Sequence, residues 1–303
     1  MHLAVDEAVA LGLSCVQVFT KNQQQWAAPP LKTESVALWH ARLAAAGWAD
    51  QRAQDVAQAT SGHAPLLRTV SHASYLINLA SPDDALWQKS LDLMTEEILR
   101  CHRLGIPLLV SHPGSATTSP KSAGIARIIK AYGVLMARTA GSNVVSCLEA
   151  TVGAGATLGG TFAELAELRA GIAELTGQTA RIGFCIDTCH IHAAGYALSS
   201  QAAAEAVLAE MHATLDLRHV RCLHLNDSLA PAGSRKDRHA HIGRGTINPE
   251  ALGTFMRAAG LRGLPAVMET PKGIGADGRA FDLVNAAALR SLAAGRPAEF
   301  VVA

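Results

Sequence analysis

The chain has 303 residues, 49% hydrophobic and 17% charged, with a formal net charge of +1. This apolar content suits a large core and excludes a disordered segment, while near-neutrality excludes a broadly basic surface but not a local basic rim. Six cysteines in so long a chain do not make a disulfide framework, and no apolar run reaches the roughly 18 residues of a membrane span.

The first residues, MHLAVDEAVALG, lack the cationic start and long apolar stretch of a secretory signal, so a reducing cytoplasmic setting is expected. Residues 2–12 read as a helix stopping near Gly12, with Val5, Ala8 and Val9 on one face. CVQVFT (15–20) follows as a strand. Helices are predicted around 32–58, 83–104, 121–140, 161–176, 200–216, 249–259 and 279–294. Strands near 67–71, 106–111, 143–148, 181–186, 220–225 and 264–268 alternate with them, as in a parallel sheet with crossover helices. No Pro-, Gly- or Ser-rich linker divides the chain, so residues 1–303 are read as one domain.

A closed β/α barrel needs eight strands, and this pattern has seven. The first helix has no strand before it. The residues leave two architectures open: an open seven-stranded or doubly wound sheet, or a TIM (β/α)8-type barrel lacking its first strand.

Six apolar runs each end on a metal-capable side chain: LLRTVSH at His72, IPLLVSH at His112, NVVSCLE at Glu149, RIGFCID at Asp187, VRCLH at His224 and LPAVME at Glu269. The steps between them are 40, 37, 38, 37 and 45 residues, the length of a strand, a return helix and two loops. Parallel strands deliver all six to one rim. Asp187-Thr-Cys-His190 adds an imidazole three residues on, expected in a loop, and Asp237-Arg-His239 adds a further pair within the polar segment 228–245. Nine candidates exceed the four ligands of one zinc and suit two or three metals sharing a carboxylate. Imidazoles and carboxylates without paired thiolates point to catalytic Zn or Mn, which activate water and neutralise phosphoryl charge.

Cys15, Cys147, Cys185 and Cys222 lie within apolar runs and read as small hydrophobes, as does Cys189 beside the Asp187 strand end. His40, His102, His212 and His219 read as solvated faces. No Ser/His/Asp or Cys/His arrangement competes as a nucleophile.

SHASYLINL (71–79), SHPG (111–114), Glu149, FCIDTCH (184–190), HLND (224–227), GSRKDRHAHIG (233–243) and METPKG (268–273) closely resemble the endonuclease IV family, in order along about residues 1–290. FTKNQQQW (19–26) resembles that family's first DNA-contacting loop. The resemblance implies a β/α barrel with three Zn2+ ions at its strand C-termini, Mn2+ being an option at one site. It implies that His72, His112 and Glu149 hold one ion, that Glu149, Asp187, His224 and Glu269 hold a second, and that His190, Asp237 and His239 hold the third.

The implied activity is that of a hydrolase of base excision repair. It cuts the phosphodiester 5′ to an abasic site in double-stranded DNA, leaving a 3′-hydroxyl and a 5′-deoxyribose phosphate, and it also clears 3′-blocked ends. Glu149 and Glu269 would be its catalytic carboxylates, holding the metals and their attacking hydroxide. By the same resemblance Tyr75 and Leu76 enter the DNA stack, Gln24 and Arg238 contact DNA, and the protein is a monomer. Lys21, Arg235, Lys236, Arg238, Arg244 and Lys272 fall in predicted rim loops where phosphate contacts are expected.

Two features depart from the family. Gln24 stands where some members carry an arginine that enters the duplex. The chain also starts at the helix that follows the family's first strand and its G-x-H-x-S turn; the expectation is a natural start roughly 12–15 residues upstream, one strand and a turn. Without that strand two barrel edges stay unpaired, which favours aggregation. The alternatives are a divalent-metal sugar isomerase or epimerase on a related barrel, which needs fewer ligands, and a catalytically weakened DNA-damage-binding homologue.

Overall fold

The computed structural model describes residues 1–49 and 67–302. Parallel strands β1 (Val16–Val18), β2 (Thr69–His72), β3 (Leu108–Ser111), β4 (Val145–Glu149), β5 (Ile182–Asp187) and β6 (Val220–His224) pair in chain order. β7 (Asp227–Ser228) and β8 (His239–Ala240) form a separate antiparallel ribbon, and β9 (Ala266–Val267) completes the main sheet beside β6. The helices are α1 (His2–Ala10), α2 (Thr33–Ala45), α3 (Asp84–Leu104), α4 (Lys121–Arg138), α5 (Phe162–Thr176), α6 (Thr188–Ala194), α7 (Gln201–Leu215), α8 (Pro249–Arg257) and α9 (Phe281–Ala293).

The helix boundaries follow local chemistry. Asp83, Thr161 and Ser200 accept backbone N–H groups at the starts of α3, α5 and α7, while Asn248 caps α8 ahead of Pro249. α3 stops where Gly105 turns left-handed at φ 67°, a conformation that carries little cost without a Cβ. α2 is shorter than the predicted helix; residues 50–58 of that prediction lie outside the described residues.

β2 to β5 are buried at every position, as expected for parallel strands covered on both faces. Alternate residues line the interior: Val70, Val110, Val145, Cys147, Cys185, Cys222 and Val267 form one apolar cluster. The opposite faces join Trp39, Tyr132, Phe162, Phe184 and Phe255 in a larger core with the helices. Side chains repeat every two residues along a strand, so the interior row continues past Val70 to His72, past Cys147 to Glu149, past Cys185 to Asp187, past Cys222 to His224 and past Val267 to Glu269.

The architecture is a nearly closed TIM-type barrel with seven strands in its sheet among the described residues. The edge strands β1 and β9 share no ladder. A crevice of about 450 Å³ separates them, lined by Leu13, Cys15, Gln17, Met256, Val267 and Leu289 among others. Cys15 Sγ reaches the Ala266 carbonyl across it at 3.3 Å.

Candidate metal centre

Glu149, with no exposed surface, stands at the middle of the barrel mouth. Its Oε2 lies 3.1 Å from His72 Nε2 and 3.3 Å from His112 Nε2. Its Oε1 lies 3.0 Å from His224 Nδ1 and 3.3 Å from His190 Nδ1. Glu269 Oε2 approaches His224 Nδ1 at 3.2 Å, and Asp187 Oδ2 lies 3.8 Å from the same atom. Farther along the rim, His190 Nε2 faces Asp237 Oδ2 at 3.2 Å, while His239 Nε2 lies 3.3 Å from Asp237 Oδ1 and 3.5 Å from Asp187 Oδ2.

All nine metal-capable residues therefore meet in one mouth. His72, His112 and Glu149 form one set whose donor atoms lie within 4.8 Å of one another, and Glu149, Asp187, His224 and Glu269 form a second. In the third region Asp187 joins His190 and His239 within that distance, and Cys189 joins Asp237 and His239. The packing thus adds Asp187 and Cys189 around the residues expected there. His190 is not in a loop. It lies in α6, which Asp187 starts by accepting the His190 N–H at 2.9 Å. A ligand at the strand end thereby also starts the helix that aims the next one.

Side-chain partners fix the imidazoles. His72 Nδ1 donates to the Ala73 carbonyl at 2.7 Å, which turns Nε2 toward Glu149 Oε2 and the mouth. His190 Nδ1 meets the Ala150 carbonyl at 2.9 Å, which turns its Nε2 toward Asp237. Gln17 on β1 accepts from His224 Nε2 at 2.8 Å and donates to Glu269 Oε1 at 2.7 Å. Asn226 donates to Asp187 Oδ2 at 2.7 Å and accepts the Glu269 N–H at 2.7 Å. Neither amide belongs to the pattern of strand-end donors. Asn226 had a usable signal, two residues beyond His224 in HLND, whereas Gln17 is marked only as a polar residue in the apolar run CVQVF.

Charges follow from this crowding. Burial would raise the Glu149 carboxyl, but His224 and His112 outweigh it and hold the group well below the usual range. Glu269 is drawn down to about 2 against its burial, chiefly by His224. Asp237 also falls to about 2, where His190 overcomes burial. Burial opposes charge on His239, yet its contact with Cys189 and the carboxylates of Asp187 and Asp237 lift it to about 9.

The residues fit a cluster of divalent metal ions. The ring nitrogens His190 Nε2 and His239 Nε2 are buried and have no hydrogen-bond partner among the described residues. Such orphans are costly unless something binds them, and both face carboxylates. Mixed imidazole and carboxylate donors suit Zn or Mn.

The expected DNA-facing residues lie around this mouth. Tyr75 is 58% exposed and stands over His72 and His112, with ring centroids 5.2 and 5.9 Å away. Leu76 is half-buried, while Gln24 and Arg238 are exposed. Several rim cations are already engaged: Lys21 on the Asn22 and Gln25 carbonyls, Arg235 on Gly153, Arg244 on Val301, and Lys272 on Asp282.

The fold and site together match a known class: the family of xylose isomerase-like TIM barrels matches residues 5–288. A curated relative from Chloroflexus aurantiacus, "Probable endonuclease 4", is 40% identical over 286 residues, covering 94% of this chain and 92% of the relative. The crystal structure of endonuclease IV from Thermus thermophilus superposes with a TM-score of 0.72 at 31% identity, covering 97% of this chain and 93% of that one. D-psicose 3-epimerase from Clostridium cellulolyticum has a TM-score of 0.61 at 16% identity, covers 90% of this chain and 80% of its own, and shares the fold alone. This chain belongs to the endonuclease IV family.

Proposed function

We propose that this protein is a zinc-dependent apurinic/apyrimidinic endonuclease that hydrolyses the phosphodiester 5′ to abasic sites in duplex DNA and also clears 3′-blocked ends. The observation that carries the reading is the buried Glu149 carboxylate, whose two oxygens are shared among His72, His112, His190 and His224. An epimerase of sugars has no need for so many donors, nor for the additional Asp237 and His239.

His72, His112 and Glu149 hold one cation in this reading; Glu149, Asp187, His224 and Glu269 hold a second; His190, Asp237 and His239 hold the third. Bound divalent metals lower the pKa of water and neutralise charge on a phosphoryl group. The chain's own part is to hold donors rigidly and to shape the mouth. Glu149 bridges two sets of imidazoles, and Glu269 keeps its negative charge on the side of the mouth nearest the crevice. Tyr75 and Leu76 supply an apolar wedge where a lesion opens the base stack, which costs least where a base is already lost. Gln24 and Arg238, both exposed, would contact the DNA.

Residues 1–303 would act as one domain and as a monomer in the cytoplasm. No helix among the described residues is long and apolar enough to cross a membrane.

The test is a duplex with one tetrahydrofuran abasic analogue, which a β-elimination lyase does not cut. The zinc-loaded chain should incise it on the 5′ side, and chelation should stop the reaction. A folded chain carrying its zinc but leaving the duplex whole overturns the reading.

A further inference from the structure

We infer that Glu97 and Arg100, one turn apart on α3, are positioning residues that lock the rim loops after β1 and β2 into a single rigid wedge for DNA. The inference rests on the proposed DNA substrate. It starts from an oddity of α3: the buried side of the helix is apolar, with Met94, Ile98, Cys101 and Leu104, yet it carries two ionisable side chains that are only 1% and 6% exposed. Buried charges are costly unless partnered. Among the described residues these two do not pair with each other; Arg100 meets instead the more exposed Glu96 carboxylate, four residues back on the same helix, at 3.4 Å.

Each also reaches into a rim loop. Glu97 Oε1 accepts the Ser74 N–H at 2.9 Å, immediately before Tyr75. Arg100 donates to the Thr20 carbonyl at 2.5 Å, to Thr20 Oγ1 at 3.3 Å and to the Pro29 carbonyl at 2.8 Å, gripping both ends of the first loop. Ser74 then ties one loop to the other, its Oγ donating to the Gln23 carbonyl at 2.6 Å. Phe19 closes the assembly edge-on against Tyr75, with ring centroids 5.8 Å apart.

The consequence is functional. Tyr75 is more than half exposed, so burial does not hold it over His72 and His112; the hydrogen-bonded frame beneath it does. Because Gln23 adjoins Gln24, one frame sets both expected DNA-facing groups relative to the metal-capable residues. A wedge that is ordered before binding loses less entropy when DNA arrives.

The experiment uses the zinc-loaded full chain with Ser74→Ala, Glu97→Ala and Glu97→Gln. Ser74→Ala removes the Oγ bond to the Gln23 carbonyl together with the longer one that Oγ accepts from the Leu76 N–H at 3.4 Å, and should raise KM for the tetrahydrofuran duplex about fivefold, with kcat changed by less than about twofold. Glu97→Ala should raise KM more, whereas Glu97→Gln keeps an acceptor for the Ser74 N–H and should restore most of the loss. Zinc per chain should not change.

Hydrogen exchange in the absence of DNA supplies the second readout: in Ser74→Ala, residues 19–25 and 73–77 should both exchange faster. Exchange confined to 73–77, or a fall in kcat with KM unchanged, overturns the inference. If Glu97→Ala does not fold, Ser74→Ala and Glu97→Gln decide. If the unaltered chain neither binds nor cuts the duplex, the substrate reading fails, and exchange alone judges whether the two loops move as one.

Discussion

Glu149 Oε1 and His224 Nδ1 meet at 3.0 Å, both residues fully buried, across 75 residues of sequence. On the other side, from the two preceding strands, His72 and His112 face Glu149 Oε2. One carboxylate thus ties β2, β3, β4 and β6 together at the mouth.

Glu149→Ala should therefore remove the shared donor of two metal sets at once. Activity on abasic duplex should fall by at least on the order of a thousandfold, as expected when several kcal/mol of charge stabilisation is lost. Elemental analysis of the purified variant should find less than the wild-type metal content. Full metal content with full activity would remove Glu149 from the centre.

Asn226→Ala should weaken metal binding without removing a donor. Its amide holds Asp187 Oδ2 and the Glu269 backbone at once, so both carboxylates lose their orientation. Loss of such a supporting group typically costs about 10–100-fold in metal affinity. Competition with a chromophoric zinc chelator measures this directly, and unchanged affinity refutes the role.

Metal uptake should release protons. The carboxylates hold His190 and His224 well above the usual imidazole range against their burial, and His239 reaches about 9. After chelation these rings carry protons near neutral pH, and a ring must lose one to become a donor. Zinc added in weak buffer should thus release on the order of three protons per chain, one from each ring, and apparent affinity should fall as pH is lowered. Calorimetry in buffers of different ionisation enthalpy counts the protons; a count of zero contradicts the proposed donors.

Arg181→Ala should destabilise the fold far from the mouth. The buried guanidinium donates to the Thr139 carbonyl, Thr139 Oγ1 and the Val144 carbonyl, tying the end of α4 to the start of β5. Removing it strands those acceptors at a cost of about 2–3 kcal/mol. Denaturant unfolding of the zinc-loaded variant should show the loss while zinc content stays at the wild-type level.

The spacing of six apolar runs makes the parallel sheet and its row of donors legible in the residue order, because a strand's side chains alternate and parallel strands end at one rim. Cys185–Asp187 and Cys222–His224 are clear cases: the same face that fills the barrel supplies the donor. For His190 the residue order indicates the right neighbours but the wrong element. It marks Asp187 only as a strand end, and the second role of that carboxylate as a helix cap depends on backbone geometry that residue order alone does not specify.

The amino-acid order by itself determined which residue types reach the mouth, through strand period and crossover length. Only the tertiary structure decided how they are held: Gln17 bridging His224 and Glu269, Asn226 joining Asp187 to Glu269, and Glu97 with Arg100 framing the loops under Tyr75. These are contacts between segments up to 252 residues apart. A hydrogen bond requires distance and angle together, and for such pairs both are set by the packing of the whole barrel rather than by any local pattern.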